Sequence, residues 1–244
     1  SKMDHLVAIS EYVKETIVKK YNIPPNNISV INRGIDTKYF NQPLDVGKRD
    51  NILKTHQIDT AKKIILFPAR ITSWKGQLEF IDVIKKMDTQ NILLLFAGDT
   101  KNESYTKLVR DKIKQNNLEG VCKILGSVNQ NEMRSLYQVA DLSVCFPLRA
   151  EGFGRTVSES LYSKTTVLAF DYGGVKNQLA NLSEIFKVKP QDYQALPAKI
   201  EQLLGLSEVE KKEALEGVQS VIESNFSKIN MVKQYLKLYE SFKS

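Results

Sequence analysis

Short apolar runs and segments of mixed polarity take turns along most of this chain. Apolar runs fall at 64–67, 92–97, 121–125, 142–146, 166–170 and 185–188. Between and after them, at 77–87, 105–116, 132–138, 155–162, 175–179, 193–204 and 208–224, helical patterns appear. A run without polar alternation is what a strand buried on both faces of a parallel sheet requires, whereas recurrence every three or four positions marks an amphipathic helix. The alternation from about residue 62 onward predicts an α/β fold, a parallel sheet with helices on both faces. Asn129-x-x-Glu132 and Ser207-x-x-Glu210 have the spacing of capping boxes and predict two helix starts. In an open sheet of this kind ligands bind beyond the carboxyl ends of the strands.

The first forty-odd residues stand outside that repeat. A strand at 6–10, a helix at 11–21 and a strand at 28–32 are predicted, with Pro24-Pro25 breaking the chain between the last two. Residues 41–61 are polar and include Pro43 and Gly47, which reads as a connection between units. At the far end Val232, Tyr235, Leu236, Tyr239 and Phe242 share one helical face.

Composition narrows the picture. A chain of 244 residues that is 42% hydrophobic buries a sizeable core and has room for one or two domains. Its apolar runs are strand-sized, far short of the roughly 18 to 20 residues of a membrane span. The apolar stretch 6–9 is too short for a signal peptide and is followed by Glu11 and Lys14, so the expected location is the cytoplasm, or the inner face of its membrane. Cys122 and Cys145 lie in strand-like runs and are expected as buried free thiols. His5 and His56 lack ligand spacing, and no metal site is expected. The formal charge of +7 favours anionic partners. With no nucleic-acid recognition motif beside it, that charge points to phosphate substrates or an anionic membrane face and not to nucleic acid.

The richest chemistry lies in Glu151-Gly152-Phe153-Gly154-Arg155-Thr156-Val157-Ser158-Glu159. A strand at 142–146 leads through a loop into a helix starting near Thr156, so Gly152 and Gly154 would let the backbone approach a ligand. The N–H groups and positive dipole end of the helix would then face an anion such as a diphosphate. Glu159 stands eight residues past Glu151, about 12 Å of rise if all were helix. The carboxyl groups of a hydrolytic pair sit about 5 to 10 Å apart across one bond, so two carboxylates holding opposite ends of an elongated ligand fit better. Arg70 and Lys75 follow the strand at 64–67 and are placed to neutralise a diphosphate. A dinucleotide fold would need Gly-x-Gly-x-x-Gly after its first strand, but here Val157 stands at the third glycine position, late in the chain. The sequence also has no Gly-x4-Gly-Lys-Ser/Thr phosphate loop.

The Glu151 to Glu159 segment resembles the E-x7-E motif of retaining GT-B glycosyltransferases, especially the large bacterial group called family 4. Arg70-Ile-Thr-Ser-Trp-Lys75-Gly76 resembles that family's Arg-x4-Lys-Gly loop, and Phe96-Ala-Gly98-Asp99 its glycine-ended strand. Leu125-Gly126-Ser127-Val128 is similar to its nucleotide-facing turn, Leu136-Tyr137-Gln138-Val139-Ala140-Asp141 to its Leu-Tyr-x-x-Ala-Asp segment, and Gly173-Gly174-Val175 to its paired glycines. The resemblance implies a Rossmann-like donor domain at 62–226, a remnant of an N-terminal acceptor domain at 1–45, a linker at 46–61 and a last helix at 227–244 returning toward the N-terminal domain. The chain would then begin inside a domain, with Ile31-Asn32-Arg33-Gly34-Ile35-Asp36 near that domain's end.

By the same resemblance Glu151, Arg70 and Lys75 are the catalytic candidates: Glu151 beside the reacting sugar, the two cations on the leaving diphosphate. Gly152, Phe153, Gly154, Arg155, Thr156, Ser127 and Val128 would contact the donor, and Glu159 would hold ribose hydroxyls. The donor would be a nucleotide diphosphate sugar, the acceptor a glycan or lipid as in lipopolysaccharide or surface polysaccharide synthesis, with no cofactor or metal. The chain alone would bind a nucleotide without transferring sugar. Two departures stand out. Asn177 occupies the place of a family Glu after the paired glycines, and Ser160-Leu161-Tyr162-Ser163 replaces an Ala-led run of small residues. The alternatives are a non-catalytic nucleotide-sugar-binding module and a GT-B-type nucleotide-sugar epimerase.

Overall fold

The computed structural model describes residues 5–43 and 45–242. β1 (Leu6–Ala8) and β2 (Ile28–Val30) pair in parallel around α1 (Glu11–Tyr21), making a two-stranded sheet. Ser10 starts α1 by accepting from the Val13 N–H, and Asn22 ends it in the left-handed region at φ 54°. Residues Thr37–Phe40 (α2) and Val46–Thr55 (α3) lead into the larger unit.

That unit is a six-stranded, wholly parallel sheet of order β5-β4-β3-β6-β7-β8. Its strands are β3 (Lys63–Pro68), β4 (Ile92–Ala97), β5 (Cys122–Gly126), β6 (Leu142–Cys145), β7 (Val167–Phe170) and β8 (Lys187–Val188). All residues of β4, β6 and β7 are buried, which explains their unbroken apolar runs. The helices are α4 (Gln77–Ile84), α5 (Glu103–Gln115), α6 (Gln130–Val139), α7 (Arg155–Tyr162), α8 (Val175–Leu179), α9 (Leu196–Leu204), α10 (Glu208–Ala214), α11 (Val218–Phe226) and α12 (Lys228–Glu240). Both capping boxes form, with Asn129 and Glu132 opening α6 and Ser207 and Glu210 opening α10. From β3 the chain adds β4 and β5 on one side and β6 to β8 on the other, so the order reverses between β3 and β6.

Several local expectations are corrected. The polar connection carries α3: Asp45 caps it, and Ile52 and Ile58 are buried, apolar anchors too sparse to stand out in a polar stretch. Ile35 and Phe40 join the core of the larger unit, Phe40 with its ring 6.2 Å from that of Tyr137. The single helix expected over 208–224 is two, α10 and α11, separated at Gly217, whose φ of 73° no helix interior allows. Only Lys187–Val188 of 185–188 is strand; Glu184–Phe186 makes a 3-10 turn that buries Phe186 equally well. The turn between α11 and α12 returns to the first segment: Ile35 N–H donates to Phe226 O at 2.8 Å and Lys228 N–H to Ile35 O at 2.7 Å. Val232, Leu236 and Tyr239 on α12 remain exposed, as does Phe242 just past its end, which meets His5 edge-on at 5.3 Å. Among the described residues no helix is long and apolar enough to cross a membrane.

Candidate functional site

Two loops leaving the adjacent strands β3 and β6 build the site. After β3, Ser73–Lys75 forms a 3-10 turn, and Gly76 follows at φ 86°. A Cβ on Gly76 would lie 2.3 Å from the Phe146 carbonyl oxygen, so only glycine lets this loop lie against the chain leaving β6. Leu148 N–H donates to Trp74 O at 2.8 Å, and Gln77 holds the turn from within by donating to Arg70 O at 2.9 Å.

This docking brings Lys75 Nζ to Glu151 Oε1 at 2.6 Å, with each side chain 13% exposed. The Lys75 ammonium also lies 4.3 Å from the centre of the Trp74 ring, which makes Trp74 a cation–π partner. Cys145 Sγ approaches the same carboxylate oxygen at 3.8 Å, and burial beside that negative charge pushes its thiol far up. Burial alone raises the Cys122 thiol to about 12. Both cysteines are free and buried, which keeps them as thiols and poor nucleophiles.

The second carboxylate is set differently. Glu159 is buried within α7, where Arg155 Nε contacts Oε1 at 2.8 Å and the Tyr137 hydroxyl donates to Oε2 at 3.0 Å. Burial raises its pKa above the ordinary carboxylate value, with Arg155 and Tyr137 pulling the other way. The Tyr137 hydroxyl is in turn held far above its usual range by burial and by the Glu159 charge.

The turn between the carboxylates rests on the paired glycines. Gly174 N–H donates to Glu151 O at 2.8 Å, and a Cβ on Gly174 would meet Gly152 O at 2.2 Å. Gly154, at φ 82°, opens α7.

A cleft of about 620 Å³ opens between these loops, beyond the carboxyl ends of β3, β4 and β6 and so at the reversal of strand order. Arg70, Lys75, Glu151, Gly152, Phe153, Gly154, Arg155 and Thr156 all line it. Glu159, Ser127 and Val128 are not among its lining residues. Glu159 sits behind Arg155, Ser127 is exposed just past β5, and Val128 packs against the core. Asn177 is exposed on α8.

Sequence reasoning missed other contributors. Ile9, Arg33 and Met133 line the cleft. Ser10 and Gln178 grip the glycine turn by donating to Gly152 O and Phe153 O. Gln178 did leave a trace, a polar residue on the same helical face as the apolar Val175 and Leu179.

Comparison with known proteins places the chain in a family and a fold. The family model described as Glycosyl transferases group 1 matches residues 48–216, and that of Glycosyltransferase Family 4 matches residues 1–39. An uncharacterized glycosyltransferase of Methanocaldococcus jannaschii, MJ1607, is 28% identical over 171 residues, covering 70% of this chain and 43% of its own. The alpha-maltose-1-phosphate synthase of Mycolicibacterium smegmatis is 23% identical over 245 residues, 97% of this chain and 62% of the relative. The crystal structure of a glycosyltransferase from Rickettsia africae superposes with a TM-score of 0.91 at 28% identity, over 98% of this chain and 63% of that one. Anabaena HepE, solved in complex with UDP and glucose, gives 0.84 at 19% identity over 98% and 63%, a likeness of fold. The chain thus spans 43% to 62% of the length of these two curated relatives. It belongs to the glycosyl transferases group 1 family, and its six-stranded sheet is a Rossmann-like domain of the GT-B fold.

Proposed function

We propose that this chain is the donor-binding half of a retaining glycosyltransferase that moves a sugar from a nucleotide diphosphate sugar to a glycan or lipid acceptor. The observation that carries the reading is the meeting of Lys75 and Glu151 at 2.6 Å in a cleft that Arg70 and the Gly152–Gly154 turn also line. Arg70 and Lys75 neutralise the diphosphate as it leaves, the stage at which fixed positive charge lowers the barrier most. Glu151 orients sugar hydroxyls and supports the positive charge that develops on the ring. Arg155 and Thr156, at the start of α7, add the dipole end of a helix toward the phosphates. Glu159 holds the ribose, with Ser127 and Val128 on the nucleoside side. Transfer proceeds by attack on the face the donor leaves, the leaving phosphate taking the acceptor proton, so no protein nucleophile is assigned.

UDP is the first nucleotide to try, since structural neighbours were solved with UDP and with UDP-glucose. The acceptor is read by the remainder of the full-length protein. Lipopolysaccharide or a related surface glycan is the class we favour, reached from an anionic membrane face that suits the chain's +7 charge. Calorimetric titration of residues 1–244 with UDP, GDP, ADP and their sugars tests the reading. One of the three series should bind at one site per chain, without transfer to an added acceptor. Absence of binding by all of them would overturn it.

A further inference from the structure

The carbonyl groups of the glycine turn are all claimed by protein donors. Glu151 O accepts from Gly174 N–H at 2.8 Å, and Gly154 O from Val157 N–H at 3.0 Å. Gly152 O accepts from the Ser10 hydroxyl at 2.5 Å, across 142 residues of sequence. Phe153 O accepts from the Gln178 amide, whose nitrogen also lies 3.4 Å from Gly154 O and from Gly174 O. The N–H groups of the same turn are in the opposite condition. Among the described residues none of Gly152, Phe153 and Gly154 uses its N–H in a hydrogen bond.

These two facts are geometrically linked. In a trans peptide the N–H of each residue points away from the carbonyl of the residue before it. Fixing the carbonyls of Glu151, Gly152 and Phe153 on their donors therefore fixes the directions of the Gly152, Phe153 and Gly154 N–H groups. All three residues line the cleft, and their N–H groups are left without a protein partner there. Unpaired N–H groups gathered at the start of a helix are a binding surface for phosphate oxygens.

We propose that Ser10 and Gln178 are positioning residues, which hold the peptide planes of the turn so that its N–H groups receive the diphosphate. Both side chains are fully committed to the task. Ser10 is 1% exposed; its lone pair takes the Val13 N–H at 3.2 Å while its single proton goes to Gly152 O. Gln178 is 4% exposed, and three carbonyls surround its nitrogen while its oxygen accepts from the Ser158 hydroxyl at 2.5 Å, so the amide has one sensible orientation. Ser10 belongs to the first, two-stranded unit, and Gln178 to α8 beyond β7. The shape of the anion site therefore depends on both units being docked.

This inference rests on the diphosphate reading above, and the test separates the two. Nucleoside diphosphate and plain nucleoside are titrated into the wild type, Ser10→Ala, Ser10→Thr, Gln178→Glu and Lys75→Ala. Gln178→Glu keeps the shape of the side chain but replaces the donor with a charge that repels the Phe153 carbonyl. Ser10→Ala and Gln178→Glu should each weaken diphosphate binding about tenfold with under twofold change for nucleoside, about the worth of one hydrogen bond misplaced toward a charged ligand. Ser10→Thr should restore it. Equal losses for both ligands, or undiminished diphosphate affinity in Ser10→Ala and Gln178→Glu alongside a loss in Lys75→Ala, would overturn the inference and leave the diphosphate reading standing. A wild type that binds no diphosphate would sink both.

Amide NMR of the wild type avoids any variant that fails to fold. Inorganic pyrophosphate should shift the Gly152, Phe153 and Gly154 N–H resonances downfield, and a shift confined to the surroundings of Arg70 and Lys75 would contradict the proposal.

Discussion

Glu151 and Glu159 bracket one glycine turn, yet they occupy opposite electrostatic settings. Glu151 stands at the cleft and forms an ion pair with Lys75, a residue from a different loop. Glu159 is enclosed by its own helix and by Tyr137, and burial keeps its carboxyl harder to ionise than usual. The first pair is built by docking two loops at the ends of β3 and β6. The second is built into α7 and carries a standing desolvation cost. Two carboxylates eight residues apart thus acquire different environments from packing alone.

Substitution at Glu151 should have the largest effect. Glu151→Gln keeps the side chain's size and removes its charge, and in the full-length enzyme kcat should fall about a hundredfold or more, comparable to losing a preorganised electrostatic contact. Steady-state kinetics check it, and a change in KM alone would reverse the roles given to the two carboxylates.

Next comes Gly76→Ala, which attacks the Glu151 environment without touching its charge. The added Cβ would collide with Phe146 O at 2.3 Å in a backbone held at φ 86°, so the loops cannot dock as they do. A loss of at least about 2 kcal/mol in urea unfolding is expected, within the range for strain at a left-handed position.

Glu159→Gln should act in the opposite sense on stability. Because the folded-state pKa of Glu159 is raised, the wild type loses stability as pH rises from the unfolded value toward the folded one, and the deficit persists above it. The Gln variant should therefore melt higher at pH 7, with the advantage vanishing at pH values low enough to protonate Glu159 in both states. Nucleoside affinity should fall in the same variant if Glu159 holds the ribose. Tyr137→Phe, the smallest change, removes one donor to Glu159 and should cost about 1 to 2 kcal/mol in the same melts.

How much of this was legible in advance follows from the range of the contacts involved. Residues 92–97 announced a buried strand and 155–162 a helix because an apolar run and a helical spacing are local signals, and both elements formed with those bounds. The meeting of Lys75 with Glu151 was not local, and only the family resemblance placed both in one site. Ser10 and Gln178 escaped notice because a hydroxyl or an amide bonded to a distant carbonyl leaves no period in the sequence. α3 was lost for a related reason: in a ten-residue helix only Ile52 is buried, too little to outweigh a polar composition with Pro43 and Gly47 nearby. Gly217 was visible, but a glycine within a helical pattern is tolerated as often as it breaks one.

The cleft is proposed as a diphosphate site served by Arg70 and Lys75. Its most direct test is calorimetric titration of the wild type, Arg70→Ala and Lys75→Ala with a nucleoside diphosphate and with the matching nucleoside. Each substitution should cost about 1.5 to 3 kcal/mol of diphosphate affinity, the worth of a charge-assisted contact, and leave the nucleoside nearly untouched. Equal losses for the two ligands would contradict it.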